Sequence, residues 1–144
     1  MKMEYRGDFI PQVVIIDHLD LMVSKTKSIR QLSGPAYWRL IVDDLHGVPI
    51  GKGVPIITAT QSNKASREKV LVTEMDVGES YGKVQSSDVV LSLNQNDNEY
   101  DTHRMRVAVL KNRDYYKGSI TELYFDPDFM IACDLEFATT NGWI

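Results

Sequence analysis

The chain runs four β-branched residues, Val13, Val14, Ile15 and Ile16, straight into the carboxylate of Asp17. β-Branched side chains are stiff at χ1 and pack well on a pleated surface. An unbroken apolar run suits a strand covered on both faces, as in a parallel sheet. Such a strand delivers the residue after it to the sheet edge, and here that residue is an acid. A second run of the same kind, Val54–Thr60, ends on Gln61. A third segment, Arg104–Leu110, alternates through Met105, Val107 and Val109 and leads to Lys111 and Arg113. One residue separates those two cations, so both project to one side of an extended chain.

The stretches between these strands set the topology. Val23–Leu32 is polar and basic and reads as a surface connection. Ser33-Gly34-Pro35 opens a helix, with proline tolerated in its first turn, and Tyr37, Leu40, Ile41 and Leu45 recur at helical spacing before Gly47 and Pro49 stop it. Ser62–Asp76 lacks a clear period and reads as a long loop, and Val77–Ser86 is a short helix candidate. Asp88–Leu93 is a third strand, and Asn94–Thr102, rich in Asn and Asp, reads as a turn or exposed loop. Ser119–Phe125 and Phe129–Cys133 follow as strands joined by a turn at Asp126-Pro127-Asp128. The expected fold class is α/β, with parallel strands and helices first and an antiparallel C-terminal β-meander after them.

Bulk properties narrow the function classes. At 144 residues and 43% hydrophobic, the chain is long enough for one domain with a core. A net charge of −4 argues against a generally basic coat, so any nucleic-acid contact must be local. Cys133 is the single cysteine, which excludes an internal disulfide. No apolar stretch approaches the roughly 18 residues that a membrane span requires. The first residues, Met1–Asp8, are polar and mixed in charge, unlike a signal peptide. The expectation is a soluble, cytoplasmic protein with no membrane partner.

Each strand end carries chemistry. A carboxylate after a buried strand, Asp17, suits a Mg²⁺ ion held through water beside phosphates. Asp20 falls in the turn beyond that strand and is secondary. Gln61 carries both a donor and an acceptor, so it can touch a γ-phosphate and report its loss to the loop that follows. That loop holds Lys64, Arg67 and Lys69, candidates for tracking a phosphodiester backbone, although Glu68 and Glu74 dilute its charge. Lys111 and Arg113 suit neutralisation of a transferring phosphoryl group. Taken singly, each of these is also what an ordinary solvated strand end looks like. The string Gly47–Gly53 imitates a phosphate loop but is one residue short of G-x-x-x-x-G-K-[ST], with Gly53 in place of the hydroxyl. His18, His46 and His103 lack zinc-ligand spacing to one another and to Cys133.

Taken in order, these strings resemble the C-terminal RecA-like ATPase domain of DnaB-type (superfamily 4) replicative DNA helicases, especially phage versions. The resemblance covers roughly Pro11–Asp134, with a domain portion at 11–137, a polar segment at 1–10 and a tail at 138–144. VVIIDHLDLM resembles the family's Walker B strand, which makes Asp17 the Mg²⁺-coordinating aspartate. VPIITATQSNK resembles the next motif, with the sensing glutamine at Gln61 and the family's asparagine at Asn63, while Lys64 stands for a more usual arginine. GESYGKVQSSDVVLSL resembles the segment in which a small-residue helix leads to an aspartate-headed strand, here at Asp88. KNR at Lys111–Arg113 resembles the lysine and arginine that reach a neighbouring subunit's ATP.

The resemblance implies ATP and Mg²⁺ as cofactors, single-stranded DNA as partner, and a homo-oligomeric, hexameric ring as the working form. It also implies a Walker A loop and a catalytic glutamate upstream of Walker B, for which ten residues before Pro11 leave no room. The expectation is therefore a partial P-loop NTPase fold, from a fragment, split gene product or truncated frame. Such a chain is inactive alone or completed by a partner chain carrying Walker A. RadA-like and KaiC-like recombination or signalling ATPases share the Walker B and KNR patterns. A non-catalytic ring module that lends Lys111 and Arg113 to a P-loop-bearing neighbour is the further alternative.

Overall fold

The computed structural model describes residues 11–24, 33–47, 53–62, 71 and 81–144. The first strand, β1 (Val14–Ile16), pairs in parallel with β2 (Ile56–Thr58), matching Val14 to Ile56, Ile15 to Ile57 and Ile16 to Thr58. Between them lie a single 3₁₀ turn at Leu19–Leu21 and helix α1 (Gly34–His46). Leu19 from the turn and Ile41, Val42 and Leu45 from α1 form a buried cluster, packed by Ile16, Met22, Tyr37, Trp38 and Ile56. The same registered pairs place Ile15 and Ile57 on the opposite face, 73% and 56% exposed. The continuous apolar run suggests a strand covered on both sides. Among the described residues only one side is covered, because α1 packs on that side alone.

Helix α2 (Tyr81–Ser86) precedes an antiparallel sheet of β3 (Val89–Asn94), β4 (Arg104–Asn112), β5 (Ile120–Asp126) and β6 (Ile131–Asp134), in that order. The third strand thus opens the meander rather than extending the parallel pair. It presents Val89, Leu91 and Leu93 to solvent and buries Ser92 and Asn94, where the Asn94 amide donates to the Ser92 hydroxyl at 2.9 Å. Between Val90 and Leu91 the register on β4 steps from Lys111 to Val109, so Leu110 forms a β-bulge. The β5–β6 turn forms where Asp126-Pro127-Asp128 predicts it, with the Asp126 carboxylate accepting from the amides of Asp128 and Phe129.

Two helices stand where loop and tail are expected. Asn94–Thr102 contains α3 (Asp97–Asp101), opened by a capping box in which Asn96 and Glu99 satisfy each other's backbone amides. The tail beginning at residue 138 is instead the second half of α4 (Leu135–Thr140), capped by the Asp134 side chain. Its Ala138 is fully buried, and Trp143 beyond it packs on Tyr124 and Phe137 with ring centroids 5.6 Å apart in both pairs. No helix of the described residues is long and apolar enough to cross a membrane.

Candidate functional site at the strand ends

Two parallel strands in register end at the same edge, and that edge is where open α/β sheets bind ligands. Past β1 comes Asp17, which is exposed, and past β2 come Thr60 and Gln61, also exposed. Two contacts lock the edge together. The Thr58 hydroxyl donates to the Ile16 carbonyl at 2.9 Å, and the Leu19 amide donates to the Ala59 carbonyl at 3.0 Å. Asp17 and Gln61 therefore share one rim.

The most connected side chain at this rim is Asp20. Its carboxylate accepts from the Thr60 hydroxyl at 2.9 Å, from the Gln61 backbone amide at 3.1 Å, and from the ammonium of Lys83 on α2. His18 Nδ1 stands 3.3 Å from the same carboxylate. Partial burial pushes the Asp20 carboxyl up, but the bonds from Lys83, the Gln61 amide and Thr60 outweigh it and hold the group below its ordinary 3.8. Lys83 is 3% exposed, a rare state for a lysine. It keeps company with a charge partner, with the Thr60 hydroxyl at 2.7 Å, and with the Trp38 ring, whose centroid is 4.0 Å from Nζ. Sequence reasoning ranks Asp20 second and passes over Lys83 altogether. The adjacent Gly82 is the available signal, since a helix that begins with a bare Cα is free to sink its neighbour.

The basic pair lies on the other sheet. The bulge at Leu110 immediately precedes Lys111, and bulges re-aim the side chains beside them. Lys111 Nζ donates to the carbonyls of Val84 and Gln85 at 2.9 and 2.7 Å, at the C-terminal end of α2. Arg113 lies just past β4, with its guanidinium paired to the Asp88 carboxylate and its amide donating to the Asp88 carbonyl at 2.9 Å. Both cations thus meet the corner between α2 and β3. Lys64, Arg67 and Lys69 fall outside the described residues, as does most of the loop that carries them.

Among the described residues, no group of three or more His, Cys, Asp or Glu can hold a metal ion. A lone carboxylate at a strand end suits Mg²⁺, which is commonly held by one or two carboxylates and the phosphates of its substrate.

No family model matches this sequence, and no curated protein matches it. Among solved structures, the chain is similar to an ATPase domain from a DnaB-like replicative helicase, with a TM-score of 0.70 at 22% identity, over 85% of this chain and 44% of that one. The fold is that of a RecA-like helicase ATPase domain. A second DnaB-like replicative helicase, described with its interactions with primase, gives a TM-score of 0.64 at 22% identity, over 85% of this chain and 31% of that one. The chain therefore spans less than half the length of the structures it matches.

Proposed function

We propose that this chain is part of the ATP-driven motor of a phage-like, DnaB-type replicative DNA helicase, working in a hexameric ring that moves along single-stranded DNA. The observation that carries the reading is the common rim of β1 and β2, where Asp17 and Gln61 stand together in a fold shared with helicase ATPase domains. In this reading Asp17 holds Mg²⁺ through water and Gln61 senses the γ-phosphate of ATP. The bound ion supplies charge neutralisation between the phosphates. Asp20 fixes the backbone that carries Gln61. Lys111 and Arg113 act on a neighbouring subunit's nucleotide, and Lys64, Arg67 and Lys69 track the DNA backbone.

The 144 residues contain no G-x-x-x-x-G-K-[ST] string, so the phosphate-gripping loop belongs to another segment or a partner chain. The outward apolar faces of β1–β2 and β3 suit cover by more polypeptide.

ATP hydrolysis by the purified chain, with and without single-stranded DNA, tests the division of labour. The expected result is no turnover alone and turnover on mixing with a P-loop-bearing helicase segment, lost again in Asp17→Ala. Turnover by the chain alone, abolished by Asp17→Ala, would overturn the assignment of the phosphate loop to another segment. Failure to stimulate the segment or to bind single-stranded DNA would overturn the helicase reading.

A further inference from the structure

Helix α2 is held at both of its ends by cations of opposite origin. Near its start, Lys83 leaves the helix for Asp20 and Thr60, and so for the strand end that carries Gln61. At its far end the carbonyls of Val84 and Gln85 receive Lys111. Two residues past α2, Asp88 receives both the side chain and the backbone amide of Arg113. The parallel pair and the meander share no strand pairing among the described residues. Among those residues, a polar route between the Gln61 rim and the basic pair therefore runs through one short helix.

We propose that Lys83 is a positioning residue that makes α2 a rigid link between the Gln61 rim and the Lys111–Arg113 pair, so that displacement at either end is carried to the other. The ammonium suits this role better than an apolar side chain of equal length. An apolar stem would fill the space beside Trp38 but would let the Asp20 carboxylate turn away from α2. A buried ammonium persists only where its bonds are kept, so the charge fixes the distance between helix and rim. The inference rests on the proposed function only for what moves the rim, a nucleotide's terminal phosphate.

Amide hydrogen exchange in the full chain without nucleotide tests the link, comparing wild type with Asp20→Asn, Lys83→Met and Lys83→Arg. The reporter is the Arg113 amide, bonded to the Asp88 carbonyl. The control is the Phe125 amide, which donates to the His103 carbonyl at 2.9 Å in another part of the same sheet. Losing one charge-assisted hydrogen bond should speed Arg113 exchange by more than about tenfold in D20N and K83M. Phe125 should keep its protection, and K83R should restore Arg113. Unchanged Arg113 exchange in D20N, or equal acceleration at Arg113 and Phe125, would overturn the proposal. Should K83M fail to fold, D20N at its partly exposed carboxylate decides alone. Because no nucleotide enters the measurement, a chain that never engages ATP would refute the proposed function and leave the link standing.

Discussion

Gly82 lies so close to Pro35 that a Cβ on it would stand 1.9 Å from the Pro35 carbonyl oxygen and 2.8 Å from its carbonyl carbon. The obstacle is backbone at the first turn of α1, which cannot swing aside as a side chain would. This approach presses α2 onto α1 and sinks Lys83 beside Trp38. Gly82→Ala must therefore part the two helices. Overpacking typically costs about 1–3 kcal/mol, and a clash with main chain belongs at the upper end. A urea titration should show the midpoint falling accordingly, whereas Gly142→Ala near the C-terminus, where nothing lies within 4 Å, should lose only the smaller cost of its positive φ.

The Asp20 carboxyl is lower in the folded chain than its ordinary 3.8, because the bonds from Lys83, Gln61 and Thr60 together outweigh the opposing effect of burial. A carboxyl lowered on folding adds stability that is present above its unfolded value and is lost as pH falls through its folded value. Asp20 thus stabilises the fold near neutrality and ceases to do so below about pH 4. Denaturation midpoints between about pH 6 and pH 2 should fall more steeply for wild type than for Asp20→Asn. Glu99, held low by its hydrogen bonds with Arg106, contributes in the same direction, so a residual acid slope in D20N should shrink further in D20N/E99Q.

The strands were legible because hydrophobic runs of β-branched residues admit few other readings, and β1 and β2 fall within the segments read from sequence, as does β3 but for its last residue, Asn94. The basic pair and Gln61 were legible as chemistry at strand ends. What escaped were features whose cause lies far away in sequence. Lys83 reads as surface because a lysine in a short helix nearly always is, and its burial depends on a partner 63 residues distant. Asp20 reads as a turn residue because nothing local says that the turn leans toward β2. Helix α3 was different, since its capping pair Asn96 and Glu99 stood in plain sight within a run whose Asn and Asp content favoured a turn.

Asn96 tests that last point directly. Its side chain accepts from the Glu99 amide at 2.9 Å, while Glu99 also grips Arg106 on β4 at 2.5 and 2.9 Å. The cap therefore orients a carboxylate that ties α3 to the sheet. Asn96→Ala should cost about 1 kcal/mol, as loss of an N-cap usually does, and Asn96→Asp should recover most of it. Thermal unfolding of the two variants against wild type measures the difference.

Arg113 separates architecture from chemistry. Its ion pair with Asp88 is largely open to solvent, with side-chain exposures of 52% and 60%. Pairs this exposed contribute at most about 1 kcal/mol and weaken as salt rises. Arg113→Ala should thus leave the denaturation midpoint nearly unchanged, and less changed still in molar salt. In the proposed ring, however, the same guanidinium must leave Asp88 to reach a neighbour's phosphates. There it would be worth far more, as cations on a transferring phosphoryl group are. R113A should then abolish the chain's stimulation of a P-loop-bearing partner while folding as wild type does. Asp88→Asn, which weakens the hold on Arg113, should preserve or raise that stimulation. Equal stimulation by wild type and R113A would confine Arg113 to its structural contact with Asp88.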